Sequence, residues 1–341
     1  MNYVELQEGA RRNTRRLVVL MAAAVTAIVL ELFFLLRAGG ADASRTLEDD
    51  LGLLASVACF TLVFVGGAGL YKAIRLGGGG PAVAEMLGGR AVPATTRVPA
   101  ERTLRNVVEE MAIASALPVP AVYVLDDEPG MNAFAAGTTP QAAAVAVTRG
   151  TLTSLDRDEL QGVVAHEFAH IRNGDMRLNT RLIAIQFGIM AIGMTGLFVL
   201  LAAAQMRTNK KEGEGIRLAL GIAGLVLAAV GWLGFLKARL IQSAVSRQRE
   251  YLADASAVEL TRNPAGLASA LRKIGASEAG SRLRSAHAAE VGHLLFGEGR
   301  RPALFGLLAT HPPIEKRIQR LEAFVTVPRS PQPPPRPVAR P

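Results

Sequence analysis

Residues 159–175 read ELQGVVAHEFAHIRNGD and hold the clearest chemistry in the chain. On a helix, His166 and His170 lie four residues apart and project from one face, as two ligands of one metal ion must. Glu167, directly after the first histidine, can then reach a water held on that metal and serve as its general base. With only five histidines in the chain, a chance His-Glu-x-x-His is rare. The plain alternative is a pair of polar residues that cap or pack a helix.

The surrounding residues support the helix. Leu160, Val163, Val164, Phe168 and Ile171 recur at helical spacing, Asp158 and Glu159 suit its start, and Asn173-Gly174 suits its stop. A hydrolytic zinc site takes three protein ligands and keeps a position for water, so two histidines need a third partner. Glu250 is the candidate, and Asp254, one turn further on, is placed to accept a proton from a ligand histidine. Against this, Glu250 could pair with Arg247 on its own helix, and Asp254 could be a solvated charge. His311 has two readings: it stabilises an oxyanion or braces the site, or it caps the last helix. The reaction these residues allow is hydrolysis of a carbonyl compound, with zinc, one ion per chain, as Lewis acid and Glu167 moving the proton.

The elements that must position these side chains follow from composition and order. Half of the 341 residues are hydrophobic and 20% are charged, which points to a membrane protein. The single cysteine, Cys59, excludes an internal disulfide. The net charge of +9 comes from arginines and lysines beside apolar runs and in the tail. That pattern fits membrane flanks and not a nucleic-acid surface.

Residues 17–36 and 51–70 are apolar runs long enough to cross a bilayer. They define an amino-terminal membrane anchor, residues 1–76, with Glu31 expected to pair with another helix or lie toward the interface. Arginines before the first span, and Lys72 and Arg75 after the second, place both flanks on the cytoplasmic side. GGGGP at 77–81 reads as a flexible break that opens a soluble part, residues 77–181. Within it a helix is expected over 101–117 and strands over 121–125 and 142–147. Asn132, Ala133, Phe134 and Ala135 are read as part of an edge strand that either adds substrate backbone to the sheet or is a plain core hairpin.

Residues 182–236 hold two further apolar runs, 182–204 and 218–236, read as a transmembrane hairpin or one packed along the membrane surface or against the anchor. Two crossings return the chain to the side it left, so Glu250 can meet the histidines. Residues 237–325 complete the soluble part, with helices over 242–260, 264–274 and 314–324. A mobile loop is expected over 279–301, and residues 326–341 form a disordered proline-rich tail. The expected class is α+β and mostly helical, with a small β-sheet.

Three separated stretches, HEFAHIRNGD, SRQREYLADASA and THPPIEKRIQRL, resemble the HtpX-type membrane zinc metalloproteases, relatives of the CAAX prenyl proteases. MNAFAAG, ahead of the first, is similar as well. The resemblance covers the chain from about residue 72 to residue 324. It implies a gluzincin-like, multi-pass endopeptidase of the bacterial inner membrane with a cytoplasmic, zincin-like protease domain. Its substrates would be damaged or misassembled membrane proteins, a quality-control and stress-response role. His166, His170 and Glu250 match the metal ligands, Glu167 the catalytic carboxylate and Asp254 the acidic partner. The alternatives are a noncatalytic membrane scaffold with a structural zinc site and a narrow-specificity protease acting on prenylated peptides. The long loop and the proline-rich tail depart from the family pattern.

Overall fold

Four long apolar helices set the architecture of the computed structural model, which describes residues 3–39, 46–76, 79–207, 211–277 and 308–325. They are α1 (Tyr3–Gly39), α2 (Leu47–Leu76), α7 (Asp175–Gln205) and α8 (Lys211–Thr261), each long and apolar enough to cross a membrane. They leave Phe34, Phe60, Phe198 and Leu218 exposed, as a surface facing hydrocarbon requires. Met21, Ile28, Val65, Leu182, Ile189 and Ala238 pack inward between them.

Small residues let α7 and α8 approach closely. A Cβ on Gly231 would lie 2.1 Å from the Gly193 nitrogen, and one on Gly196 would lie 2.2 Å from the Ala228 nitrogen. Such contacts are the usual means of helix association where lipid removes the hydrophobic drive. Glu31 pairs with Lys237 at 3.2 Å, the helix-to-helix pairing expected for it.

Two expectations about boundaries are revised. The run 218–236 and the helix expected over 242–260 are one uninterrupted helix, α8, of 51 residues. At 1.5 Å per residue it is roughly 77 Å long, against a hydrocarbon core of about 30 Å, so its carboxy-terminal third stands clear of the apolar run. The charged segment ahead of the first apolar run is likewise the first part of α1. Gln7 Nε2 donates to Glu259 Oε2 at 2.8 Å and Asn13 Nδ2 to Gln248 Oε1 at 3.4 Å, so it lies along that same end of α8.

GGGGP does not act only as a linker, because α3 (Gly79–Met86) begins within it. Gly80 is needed there for close approach: a Cβ would come within 2.4 Å of the Ala144 nitrogen. After β1 (Arg90–Ala91) and α4 (Pro99–Ser115) come β2 (Ala121–Leu125), β3 (Ala133–Ala136) and β4 (Ala144–Thr148). The sheet order is β1-β2-β4-β3, with β2 and β4 parallel and the outer pairs antiparallel. Both faces are covered: Val122, Val124, Val145 and Val147 meet α4 and α6 (Arg157–Asn173), while Tyr123, Leu125 and Phe134 meet α3. Double burial explains why these strands read as continuous apolar runs without alternation. β3 is the edge strand nearest α6.

Short α5 (Arg149–Ser154) leads into α6, and α9 (Pro264–Ala276) and α10 (Ile314–Val325) close the core. The expected loop over 279–301 and the tail over 326–341 lie outside the described residues.

Candidate metal centre

Local sequence chemistry fixes both ends of the histidine helix. Asp156 caps α6 by accepting from the Glu159 N–H at 2.9 Å, and Glu159 Oε2 accepts from the Asp156 N–H at 2.9 Å. This reciprocal capping box satisfies two otherwise orphaned donors. At the other end Gly174 adopts a left-handed conformation, φ 69°, which stops α6 and starts α7 at once. The turn folds Asp175 back beside the helix it follows.

Between those ends, His166 and His170 bring their Nε2 atoms to 3.0 Å of one another. Glu250 comes from α8, with Oε2 at 3.6 Å from His166 Nε2 and Oε1 at 3.4 Å from His170 Nε2. One ligand atom from each of the three lies within 4.8 Å of the others. The outer nitrogens are held by carboxylates: His166 Nδ1 donates to Asp254 Oδ1 at 3.0 Å and His170 Nδ1 to Asp175 Oδ2 at 2.7 Å. Each bond fixes a tautomer with its Nε2 lone pair directed to the shared point, the arrangement metal-ligating histidines need. Burial opposes protonation of both rings. The neighbouring acids, Asp254 and Glu250 at His166 and Asp175 and Glu250 at His170, outweigh it and raise both from the ordinary histidine value.

Charge gives a second test of fit. Glu167, Glu250, Asp254 and Asp175 gather four carboxylates, and Arg317 and Arg249 bring two guanidinium groups. The two remaining negative charges match a divalent cation, and buried charge of one sign is otherwise costly. The residues present therefore fit a metal ion.

Glu167 is 1% exposed; one carboxylate oxygen accepts from the Ala135 N–H, and Oε1 has no hydrogen-bond partner among the described residues. Burial pushes this carboxyl above the ordinary range, against the pull of His170 and His166. It faces a cleft shared with His170, Glu250, Ala135 and His311. His311 Nδ1 approaches Glu250 Oε2 to 3.1 Å without hydrogen-bond alignment; it sits in the cleft wall, before α10 begins.

The expected residues therefore converge, with distinctions among them. Arg247 binds the Ala309 carbonyl at 2.7 Å, while Glu250 turns to the histidines. Asp254 is buried, not solvated. Of the strand residues, only Ala135 lines the cleft. The Phe134 side chain packs on the opposite face against α3, and the Asn132 carbonyl accepts from Thr148 and Thr151. Three residues given no role by sequence reasoning stand in the site: Asp175, Arg249, which binds Asp175 and the Asn173 carbonyl, and Arg317. Their signal was weak. Asp175 follows a helix stop, and the arginines sit in charge-rich helices whose cations all look alike in one dimension.

Comparison with known proteins decides the family. The model for peptidase family M48 matches residues 99–325, which include every residue of this cluster. The chain belongs to peptidase family M48. Among its relatives, a "Protease HtpX homolog" of Limosilactobacillus fermentum is 41% identical over 74% of this chain and 82% of its own. Another, of Ligilactobacillus salivarius, is 46% identical over 64% and 72%. A crystal structure of S. mikatae Ste24p is 16% identical, with a TM-score of 0.45, over 92% of this chain and 66% of that one. This M48 peptidase is thus a membrane-bound metalloprotease whose substrates are peptides and whose apolar helices sit in a lipid bilayer.

Proposed function

We propose that this M48 peptidase is a zinc endopeptidase of the bacterial inner membrane that cuts damaged or misassembled membrane proteins on the cytoplasmic side. The observation that carries the reading is the meeting of His166, His170 and Glu250 in the same cleft as the unpartnered Glu167 carboxylate oxygen. His166, His170 and Glu250 would hold the zinc, which supplies Lewis-acid polarisation of the scissile carbonyl and of water.

The chain's own residues do the rest. Glu167, kept basic by its raised pKa, takes a proton from the attacking water as the hydroxyl bonds to the carbonyl carbon. It then delivers that proton to the amide nitrogen as the C–N bond breaks. His311, in the cleft wall, would donate to the oxygen on which negative charge develops. The outer edge of β3 would pair with extended substrate backbone through groups other than the Ala135 N–H, which Glu167 holds, the Ala133–Ala135 segment taking the role first assigned to residues 132–135. Asp254 and Asp175 hold the histidine rings in orientation.

The division that supports this reading is an anchor over 1–76, two protease segments over 77–181 and 237–325, a hairpin over 182–236, and a tail over 326–341. α8 is the unbroken helix that runs from the hairpin into the protease part. The decisive experiment combines metal analysis of the full-length protein with Glu167→Gln. Wild-type protein should hold one zinc per chain and cleave an unfolded membrane protein. The variant should keep the zinc and lose cleavage, and wild-type rates in it would refute Glu167 as the base.

A further inference from the structure

We propose that the cleft wall built by the first turns of α7 and the facing turns of α8 is a subsite for one apolar substrate side chain next to the scissile bond. This rests on the peptidase reading above and deepens it. The cleft that holds Glu167, His170 and Glu250 does not end at them; it runs on to Met176, Leu178, Leu182 and Val245. Met176, Leu182 and Val245 are 7%, 3% and 2% exposed, so this wall is fixed by packing. From Asp175 to Leu182 the helix rises roughly 10 Å, so the wall extends about two turns beyond the acid that holds His170.

Ser246 is an uncharged polar group of this wall, and the other two polar side chains at the mouth, Arg249 and Asn179, are each held by a neighbour. Arg249 is bound to Asp175 and to the Asn173 carbonyl, and Asn179 Oδ1 accepts from Gln242 Nε2 at 3.3 Å. A charged substrate side chain entering here would lose its hydration against Leu182 and Val245 and gain no counter-charge, which is costly. An apolar one gains burial. Position strengthens the case. Both helices continue from this wall into the apolar runs that cross the membrane, so a polypeptide emerging from the bilayer meets the subsite with the apolar residues that flank a span.

The test uses full-length protein in lipid nanodiscs and a library of unstructured peptides varied around the cleaved bond, with products identified by mass spectrometry. Leu, Met or Phe should be favoured over Asp or Lys at one flanking position by at least about tenfold in kcat/KM. Leu182→Ala should move the preference toward Phe and Trp, and Leu182→Trp toward Ala, each by on the order of tenfold in the ratio of the two rates. A binding arm measures the anisotropy of the same labelled peptides on Glu167→Gln protein, with and without Leu182→Trp, where the same order of preference should appear without turnover. Cleavage whose selectivity neither Leu182 variant moves would overturn the subsite and leave the peptidase. Apolar-selective binding that Leu182→Trp abolishes, without cleavage by the wild type, would support the subsite and overturn the peptidase reading.

Discussion

Arg317 grips Asp254 through two hydrogen bonds, Nε to Oδ2 at 2.9 Å and Nη2 to Oδ1 at 2.7 Å. Its third nitrogen, Nη1, lies 3.1 Å from Glu250 Oε2. One side chain from α10 thus holds both acids of α8, one set against His166 and the other facing the metal position. At 1% exposure it is a fully buried arginine, and its neighbours Asp254 and Glu250 more than offset the burial that works against its charge.

Arg317→Ala should therefore leave two buried carboxylates without their counter-ion. A broken buried pair costs about 3–5 kcal/mol, and loss of support for ligands typically costs about 10–100-fold in metal affinity. Arg317→Lys keeps the charge without the fork and should fall between. Zinc per chain after dialysis against buffered zinc, with thermal unfolding in the same detergent, reads both effects. Full zinc and an unchanged melting temperature in the alanine variant would sink this account.

Asp175 offers the parallel case on the other histidine. It accepts from His170 Nδ1 at 2.7 Å and is itself clamped by Arg249. Asp175→Asn removes the charge that fixes the ring and leaves Arg249 with a neutral partner. Zinc affinity should drop by about 10–100-fold, in contrast to Glu167→Gln, which touches no ligand and should bind zinc as the wild type does. Equal zinc titration curves for all three proteins would contradict the role given to Asp175.

Glu159 predicts a dependence of stability on pH that is independent of the metal. Burial opposes its ionisation, but Lys273 Nζ at 2.6 Å, Ser269 Oγ at 2.7 Å and the Asp156 N–H outweigh it. Its folded pKa therefore lies below the ordinary value of 4.5. A depressed carboxyl stabilises the fold fully above its unfolded pKa and loses that contribution as pH falls through the folded one. Glu159→Gln should thus lower the melting temperature at pH 7, by the equivalent of about 1–3 kcal/mol. The gap to wild type should narrow steadily as pH falls below about 4.5. A gap independent of pH would show that shape, not charge, matters at this position.

The sequence was most legible where local rules and chemistry coincide. His166, Glu167 and His170 could be placed because their spacing, the acidic start at Asp158 and Glu159 and the stop at Asn173-Gly174 all favour one helix. Glu250 and Asp254 could be paired with them because a turn of helix separates the two acids and an even number of spans separates them from the histidines. Arg317 was not legible, since nothing in IEKRIQRLEAF distinguishes the arginine that is 1% exposed from Arg320, which lies over the Tyr251 ring. The side to which Phe134 points depends on which of two buried sheet faces meets α6, and a strand with both faces apolar carries no alternation to reveal it. The continuity of α8 was hidden for another reason: apolar and polar stretches of one helix look like two elements when the change of surroundings is read as a boundary.

That continuity makes a last prediction about action at a distance. Gly231 packs so closely on Gly193 that a Cβ would lie 2.1 Å from its nitrogen, so Gly231→Leu must drive α7 and α8 apart within the membrane. Glu250 lies on the same unbroken helix roughly 28 Å further along, while its histidine partners belong to α6, which leads directly into α7 through Gly174. Separation of the helices should therefore pull Glu250 away from His166 and His170. We expect Gly231→Leu to insert in the membrane and to bind zinc at least tenfold more weakly. Gly221→Leu is the matched control, on the same helix with open space around its Cβ position, and it should bind zinc as the wild type does. Equal zinc binding by the two variants would mean that the bend or give of α8 absorbs the change, and that the membrane hairpin does not set the geometry of the metal centre.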